Sequence, residues 1–490
     1  MSRIMELAQE NEKLYRIRHS LAHILAQAVL TIRPNAELGF GPPIETGFYY
    51  DFLLDEPIAP EDLKKIEKKM KHIIKQNQKF EQFDMDGDET LDFLKSHNQP
   101  LKADYSRELS EKYEQLSFFK NGPFTDMCEG PHVSSTKEIP PNCFQLDNLA
   151  GSYWRGDSDN QMLTRIYGLA FESSENLQEF LTERKLAQER DHRKLGRELE
   201  LYMIDDEVGQ GLPLWLPNGT VLREELETYA KEVEFRDGYQ RVATPHITKE
   251  NLYYTSGHLP YYKETMYSPI EIDGENYYLK PMNCPHHHKI FSLRPRSYRE
   301  LPLRLAEYGT CYRYEQSGSL SGLLRVRALS MNDAHIYCSE EQVRDEFKKV
   351  LELHKEYYQR FRISRYWVRL SFSAHDKEKF IGDEDRWGFA EQIVRECLEE
   401  CGIDYKAEEG EAAFYGPKVD FQIRNVIGRE ETASTNQLDF AIASRFGLKF
   451  TGEDGKEHEP YIIHRAPLGT HERFLAFLIE HFGGAFPTWM

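Results

Sequence analysis

The strongest periodicity in the chain lies between Ile17 and Val29, where Ile17, Leu21, Ile24, Leu25, Ala28 and Val29 share one face of a predicted helix. His19 and His23, four residues apart, fall on the opposite face, outside that helix's own apolar core. A second amphipathic helix is predicted over Glu61–Gln76, and strand-like stretches at Gly47–Phe52 and Leu163–Tyr167 alternate with turns. This mixture predicts an α+β domain over residues 1–170. Glu175–Leu201 is rich in charge and helix formers, but its apolar residues are too sparse for a core-facing stripe. It reads as an exposed helical linker, assigned to 171–198. Beyond it, a helix over Val221–Phe235 precedes strands at Tyr239–Thr244, Asn276–Leu279, Leu305–Tyr312, Leu324–Ser330 and Asp333–Tyr337. Strands with few intervening helices favour an antiparallel sheet for a second domain, 199–490.

Size agrees with two or three packed units, since 490 residues exceed one ordinary core. The chain has no apolar run of bilayer length and no leader pattern at 1–18, so a cytoplasmic protein with no membrane partner is expected. Seven cysteines without a CxxC pair argue against a disulfide framework or zinc ribbon. The net charge of −20 requires any nucleic-acid contact to come from local patches such as 184–197 or 294–304. Each patch by itself reads as a solvated face. Neither GxxxxGK[ST] nor GxGxxG occurs at a strand-to-helix turn, so a nucleotide site must rely on arginines.

Two constellations carry candidate chemistry. The first joins His19 and His23 to Cys128 and His132, an HxxxH followed by a CxxxH. Three imidazoles and a thiol fit a zinc site by donor type and count. Spacing by itself favours two unrelated polar pairs, with a hydrolytic pocket as the third reading. Together with Gly41–Tyr50 (GPPIETGFYY) and Ala150–Asp157 (AGSYWRGD), these residues resemble the editing domain of bacterial-type threonyl-tRNA synthetases over about residues 9–170. The resemblance implies a pocket, described as metal-free in that family, that hydrolyses seryl-tRNA. His19, His23, Cys128 and His132 would line it, with Asp126 and Lys102 as helpers. Glu129 stands where many relatives have arginine.

The second constellation is a hairpin running from Tyr312-Arg313-Tyr314-Glu315 to Arg325-Val326-Arg327, basic on both sides. It allows either an anion site or an ordinary salt-bridged surface. Ile463–Phe474 (IHRAPLGTHERF) passes from a strand through a glycine turn into an apolar helix. These segments resemble motifs 2 and 3 of class II aminoacyl-tRNA synthetases, and Gly238–Pro245 with its preceding helix resembles motif 1. Lys280–Pro285 (KPMNCP), Asn332–His335, Phe414–Lys418 and Gln437–Phe440 follow the threonyl family in order. The resemblance implies the class II antiparallel sheet flanked by helices, and ATP-dependent attachment of L-threonine to threonine tRNA through threonyl-adenylate. Arg313 would meet the α-phosphate, Glu315 the adenine edge, and Arg325 and Arg473 the outer phosphates, with Mg²⁺ sharing the charge. Gln437 joins the ATP set and Lys418 the catalytic set, while Asp333, Tyr415 and Met331 line the threonine site. A homodimer through motif 1 is also implied.

The same resemblance places Zn²⁺ on Cys284, His335 and His464, which no spacing rule assembles. Spacing alone draws attention to His286-His287-His288, which reads as a polar loop. Three N/S ligands leave a coordination position open to substrate. A site that engages threonine's hydroxyl rejects valine by roughly 10⁴ or more, whereas serine, lacking only a methyl, differs by about 1–3 kcal/mol and calls for a second, hydrolytic step.

Three departures stand near the predicted site. Leu329 replaces the family's phenylalanine, Met331 often a glutamine, and Glu431–Thr435 (ETAST) the usual Trp-Gln-Cys-Gly-Thr. They leave a competing reading, a synthetase-like paralogue with altered or lost activity that binds tRNA or a partner. Relatives usually add a ubiquitin-like domain before the editing helix and an anticodon-binding domain after the core. Neither is recognisable here, and trimming at the core boundary is the expected reason.

Overall fold

A computed structural model describes residues 11–374, 384–424 and 430–490. The first ten residues of the expected N-terminal domain lie outside the described residues. Two compact units divide between Glu183 and Arg184, inside a helix spanning Ser174–Arg190. The single connecting helix expected over 175–201 is broken in two. Asp191 leaves helical backbone and its carboxylate accepts the Arg193 N–H, starting a second helix at His192–Glu198. Nor is this segment exposed throughout, because Leu177, Ala187 and His192 are buried.

In the first unit, the helix Glu12–Ile32 packs its apolar face on the strand Gly47–Leu53 and the helix Leu63–Lys75. Its opposite face is covered as well. Phe80, Phe124 and His132 close over His23, and every residue from Ile17 to Val29 is buried. The two histidines, outside the helix's own apolar stripe, are therefore buried by these neighbours. A four-strand antiparallel path runs Glu37–Leu38, Gly47–Leu53, Met162–Ala170, Phe144–Tyr153. Alternation along Gly47–Leu53 turns Phe48, Tyr50 and Phe52 inward. A Cβ on Gly41 would lie 2.1 Å from the Tyr50 ring, so only glycine lets that ring settle there. A separate antiparallel sheet of Phe80–Asp86, Gln115–Asn121 and Phe124–Met127 carries Asp126.

The second unit is built on an eight-stranded sheet in the order Gln240–Arg241, Leu303–Tyr312, Ala328–Cys338, Tyr461–Ala466, Glu430–Asp439, Lys418–Arg424, Tyr366–Phe372, Tyr405–Glu409. The internal pairings are antiparallel; the two edge pairings are parallel. The separate strands expected at 324–330 and 333–337 are one, Ala328–Cys338, because Ser330 and Asn332 pair in unbroken register with Thr310 and Tyr308. Residues 324–327 instead belong to the loop, where a Ser321–Arg325 bridge turns the chain. Ile336, Ile463, Leu438 and Val419 face the helices Pro217–Arg236, Glu340–Arg360, Glu384–Glu400 and His471–Phe482 across the main core. The other face carries the polar residues described next.

Candidate functional sites

In the first unit the histidine helix and the segment after Phe124–Met127 bring all four predicted pocket residues together. Their donor atoms lie within 4.8 Å of one another. Cys128 Sγ sits 3.2 Å from His19 Nε2 and 3.4 Å from His132 Nε2. Ser20 Oγ accepts the Val133 N–H and stands 3.2 Å from His132 Nδ1. His23 Nε2 is 3.9 Å from Asp126, whose carboxylate pairs with the buried Lys102 ammonium. Tyr50 was not anticipated. Its hydroxyl donates to Asp126 and accepts from Lys102 at 2.9 Å. The inward alternation of Phe48, Tyr50 and Phe52 was the available signal.

Burial holds these imidazoles neutral. His19 is pushed down to about 4 and His23 to about 3, in both cases despite Asp126, and burial also takes His132 well below the imidazole range. Burial raises Cys128 to about 12, so its sulfur is a thiol at neutral pH. Burial pushes Asp126 up as well, but Lys102 and His23 outweigh it and the carboxylate stays below its usual range. Neutral nitrogens thus sit beside a fixed ion pair, an arrangement suited to moving a proton from water.

In the second unit a row of residues crosses the sheet in direct register: His335 opposite His464, His464 opposite Gln437, Gln437 opposite Lys418. Because alternate residues share a face, Leu329, Met331 and Asp333 line the same side as His335. Cys284 arrives from the start of the helix Cys284–Phe291, and its sulfur lies within 4.8 Å of the donor nitrogens of His335 and His464. His464 Nε2 is 2.9 Å from Asp439 Oδ2. His335 Nε2 is buried without a partner. An orphaned imidazole nitrogen, a second imidazole backed by a carboxylate and a thiol form a donor set that fits zinc. Burial, with Asp333 nearby, pushes the Cys284 thiol well up, so ionising it calls for a compensating cation.

Cys284 and His464 open onto a cavity of about 230 Å³ lined also by His258, Met282, Tyr415, Gln437 and Lys418. That is below the roughly 300–1,000 Å³ of drug-sized pockets and suits a small ligand. Tyr415 stacks on His464 at 5.2 Å and its hydroxyl donates to Gln437. Lys418 is 3.0 Å from Asp420. Asp333 accepts from Asn283 at 3.3 Å, and burial raises its carboxyl. His258 was not singled out from the sequence; burial, then Arg313, lowers it to about 4. Met331 packs at the edge of a small cluster of Cys311, Val326 and Leu329.

The arginines converge. Arg473, on the first turn of His471–Phe482, donates to the Leu324 and Thr432 carbonyls. It is lowered by burial and by Arg313 and Arg325, with Glu431 opposing them, so each of these charges acts on Arg473. Arg313 donates to Pro281 O, while Arg325 pairs with Glu315 at 2.8 Å. Like charges gathered around one loop suit a polyanion. The histidine triplet departs from the polar loop expected: it is helical and buried, with His287 and His288 packed against the His335 ring but outside the three-donor group. In the two basic stretches, Arg193 pairs with Asp191, Arg294 and Arg296 with Glu300, and Arg304 with Glu346.

Comparison with known proteins places the chain in a family. The tRNA synthetase class II core domain (G, H, P, S and T) matches residues 267–482, and the threonyl and alanyl tRNA synthetase second additional domain matches 116–167. The threonine–tRNA ligase of Geobacillus sp. (strain WCH70) is 49% identical over 480 residues, covering 98% of this chain and 74% of that protein. This chain belongs to the threonine–tRNA ligase family. A family member from Thermus thermophilus is 48% identical over 488 residues, with 96% and 74% covered. Among solved structures, the RNA binding domain of threonyl-tRNA synthetase from Cryptosporidium parvum Iowa II superposes with a TM-score of 0.58 at 38% identity, over 61% of this chain and 74% of that one. Among the described residues no helix is long and apolar enough to cross a membrane.

Proposed function

We propose that this chain activates L-threonine with ATP, transfers it to threonine tRNA, and hydrolyses seryl-tRNA made in error. The observation that carries the reading is the meeting of Cys284, from its helix, with His335 and His464 of the cross-sheet row, beside the cavity lined by Tyr415, Gln437 and Lys418. Those three residues would hold zinc, which would supply a Lewis-acidic position for the amino and hydroxyl groups of threonine. Asp333 and Tyr415 orient the amino acid, with Met331 at the edge. The threonine carboxylate, already ionised, attacks the α-phosphorus; a new oxygen–phosphorus bond forms as pyrophosphate leaves, giving threonyl-adenylate. Positioning and charge neutralisation matter here more than a base. Arg313 serves the α-phosphate and Arg325 and Arg473 the outer phosphates, with Mg²⁺ sharing their charge. Glu315 must exchange Arg325 for adenine, Gln437 completes the ATP side, and Lys418 acts with Arg313 and Arg473 in catalysis.

In the N-terminal unit, a neutral imidazole of His19 or His23 takes a proton from water as it attacks the seryl ester, and the released ribose hydroxyl gains one. The Lys102–Asp126–Tyr50 network fixes the charge around the pocket, and His132 and Cys128 complete its wall. We also assign a homodimer through the catalytic unit, supported by Phe235, 85% exposed at the end of Pro217–Arg236, and a cytoplasmic location. Threonine-dependent exchange of pyrophosphate into ATP tests the synthetic half. Its absence from zinc-loaded protein would favour a paralogue that binds tRNA without activating threonine.

A further inference from the structure

The catalytic unit buries a lysine, a glutamate and a histidine that no step above employs. Glu307 lies on Leu303–Tyr312, two residues from Leu305, which pairs with His335. Its carboxylate accepts the Thr244 N–H at 2.8 Å, the Thr244 hydroxyl, and Lys280 Nζ at 3.2 Å. The remaining oxygen faces His287 Nε2 at 3.1 Å. His287 Nδ1 in turn lies 2.8 Å from His335 Nδ1. Lys280 and His287 are both 0% exposed and Glu307 is 4% exposed.

The direction of each bond follows from the donor inventory. Burial works against the Glu307 charge, but His287 and Lys280 outweigh it and bring the group to about 2, so it only accepts. His287 donates to it through Nε2, and in the relay Nδ1 is the acceptor end of its ring. His335 then donates through Nδ1 and keeps its lone pair on Nε2, the buried nitrogen without a partner. The scaffold holds this chain in place. His287 is three residues after Cys284 on one helix, so thiol and relay share a helix face.

We propose that Glu307 and His287 form a hydrogen-bond relay that fixes the tautomer and orientation of His335, making them positioning residues for the metal centre. The proposal rests on the zinc reading above. It differs from the support of His464, which Asp439 contacts directly.

The test uses the full chain loaded with zinc, with release to excess chelating dye as the readout. His287→Met removes both relay bonds at similar volume, and release should speed up about 10–100-fold, the usual effect of losing such a partner. His287→Gln can still accept from His335 and donate to Glu307, and should stay within about threefold of wild type. Melting of the metal-free proteins separates positioning from folding, because the relay predicts a much larger change in release than in melting. A His287→Met protein that folds and releases zinc at the wild-type rate overturns the relay. Histidine ¹⁵N spectra of the zinc-loaded wild type need no variant: a protonated Nδ1 on His335 supports the relay and a metal-bound Nδ1 refutes it. Should the wild type hold no stoichiometric zinc, the metal reading fails and takes the relay with it; zinc retained without dependence on His287 refutes the relay alone.

Discussion

Two histidine–cysteine clusters occupy the two units, and by donor type both qualify for a metal. They differ in what surrounds the donors. In the N-terminal cluster Cys128 lies between His19 and His132, Nδ1 of His19 and of His23 is buried without a partner, and the adjoining charge is a balanced lysine–aspartate pair. In the catalytic unit His464 is backed by a carboxylate and His335 by an imidazole, and His335 Nε2 is likewise buried without a partner. Counting His and Cys residues therefore does not separate a hydrolytic pocket from a metal centre. On the proposed function the support behind the donors separates them, a carboxylate at His464 and an imidazole at His335 against the Ser20 hydroxyl at His132, because a ligand must present a lone pair and something must hold it pointing inward.

The comparison is tested most severely at Cys284. Cys284→Ala should abolish stoichiometric zinc and collapse the preference for threonine over valine in pyrophosphate exchange from roughly 10⁴ to below about 10², while seryl-tRNA hydrolysis is retained. A variant that still rejects valine would separate the metal from selectivity. Next, His19→Ala combined with His23→Ala should slow seryl-tRNA hydrolysis by about 10²–10⁴. Exchange should be unchanged; an equal loss in both assays would show that the two chemistries are not independent.

Asp126→Asn probes the ion pair. It leaves Lys102 charged and buried without its carboxylate, and should lower the stability of the full chain to denaturant by about 3–5 kcal/mol. An unfolding midpoint within experimental scatter of wild type would mean that water reaches Lys102.

The smallest effect concerns pH. With His19 near 4 and His23 near 3, hydrolysis should change less than about twofold between pH 8 and 5 and fall only towards 4. A step near 6.5 would contradict the buried neutral imidazoles. Stability has its own sign. Both folded-state values lie beneath the unfolded value, so neither histidine contributes above about 6.5, and the native state loses stability as pH drops from there towards 4 while the unfolded chain takes up protons.

Much of this was readable along the chain because it is local. The period of Ile17–Val29 marked its helix, and HxxxH and CxxxH keep two donors one helical turn or one tight loop apart. Motif residues on either side of the Arg313–Arg325 loop were visible for the same reason. Burial of the face carrying His19 and His23 was not, since Phe80 and Phe124 come from strands whose placement no helix period encodes. The break at Asp191 was likewise missed, as a capping carboxylate is a single-residue event inside a run of helix formers. The triplet His286-His287-His288 shows the limit most sharply: the adjacent histidines were conspicuous, but the donors that converge are Cys284, His335 and His464. Local order along the chain dictates helices, turns and short motifs through interactions a few residues long. The row of His335, His464, Gln437 and Lys418 depends on the register of four strands, and register is set by which faces the sheet must bury, a property of the assembled core alone.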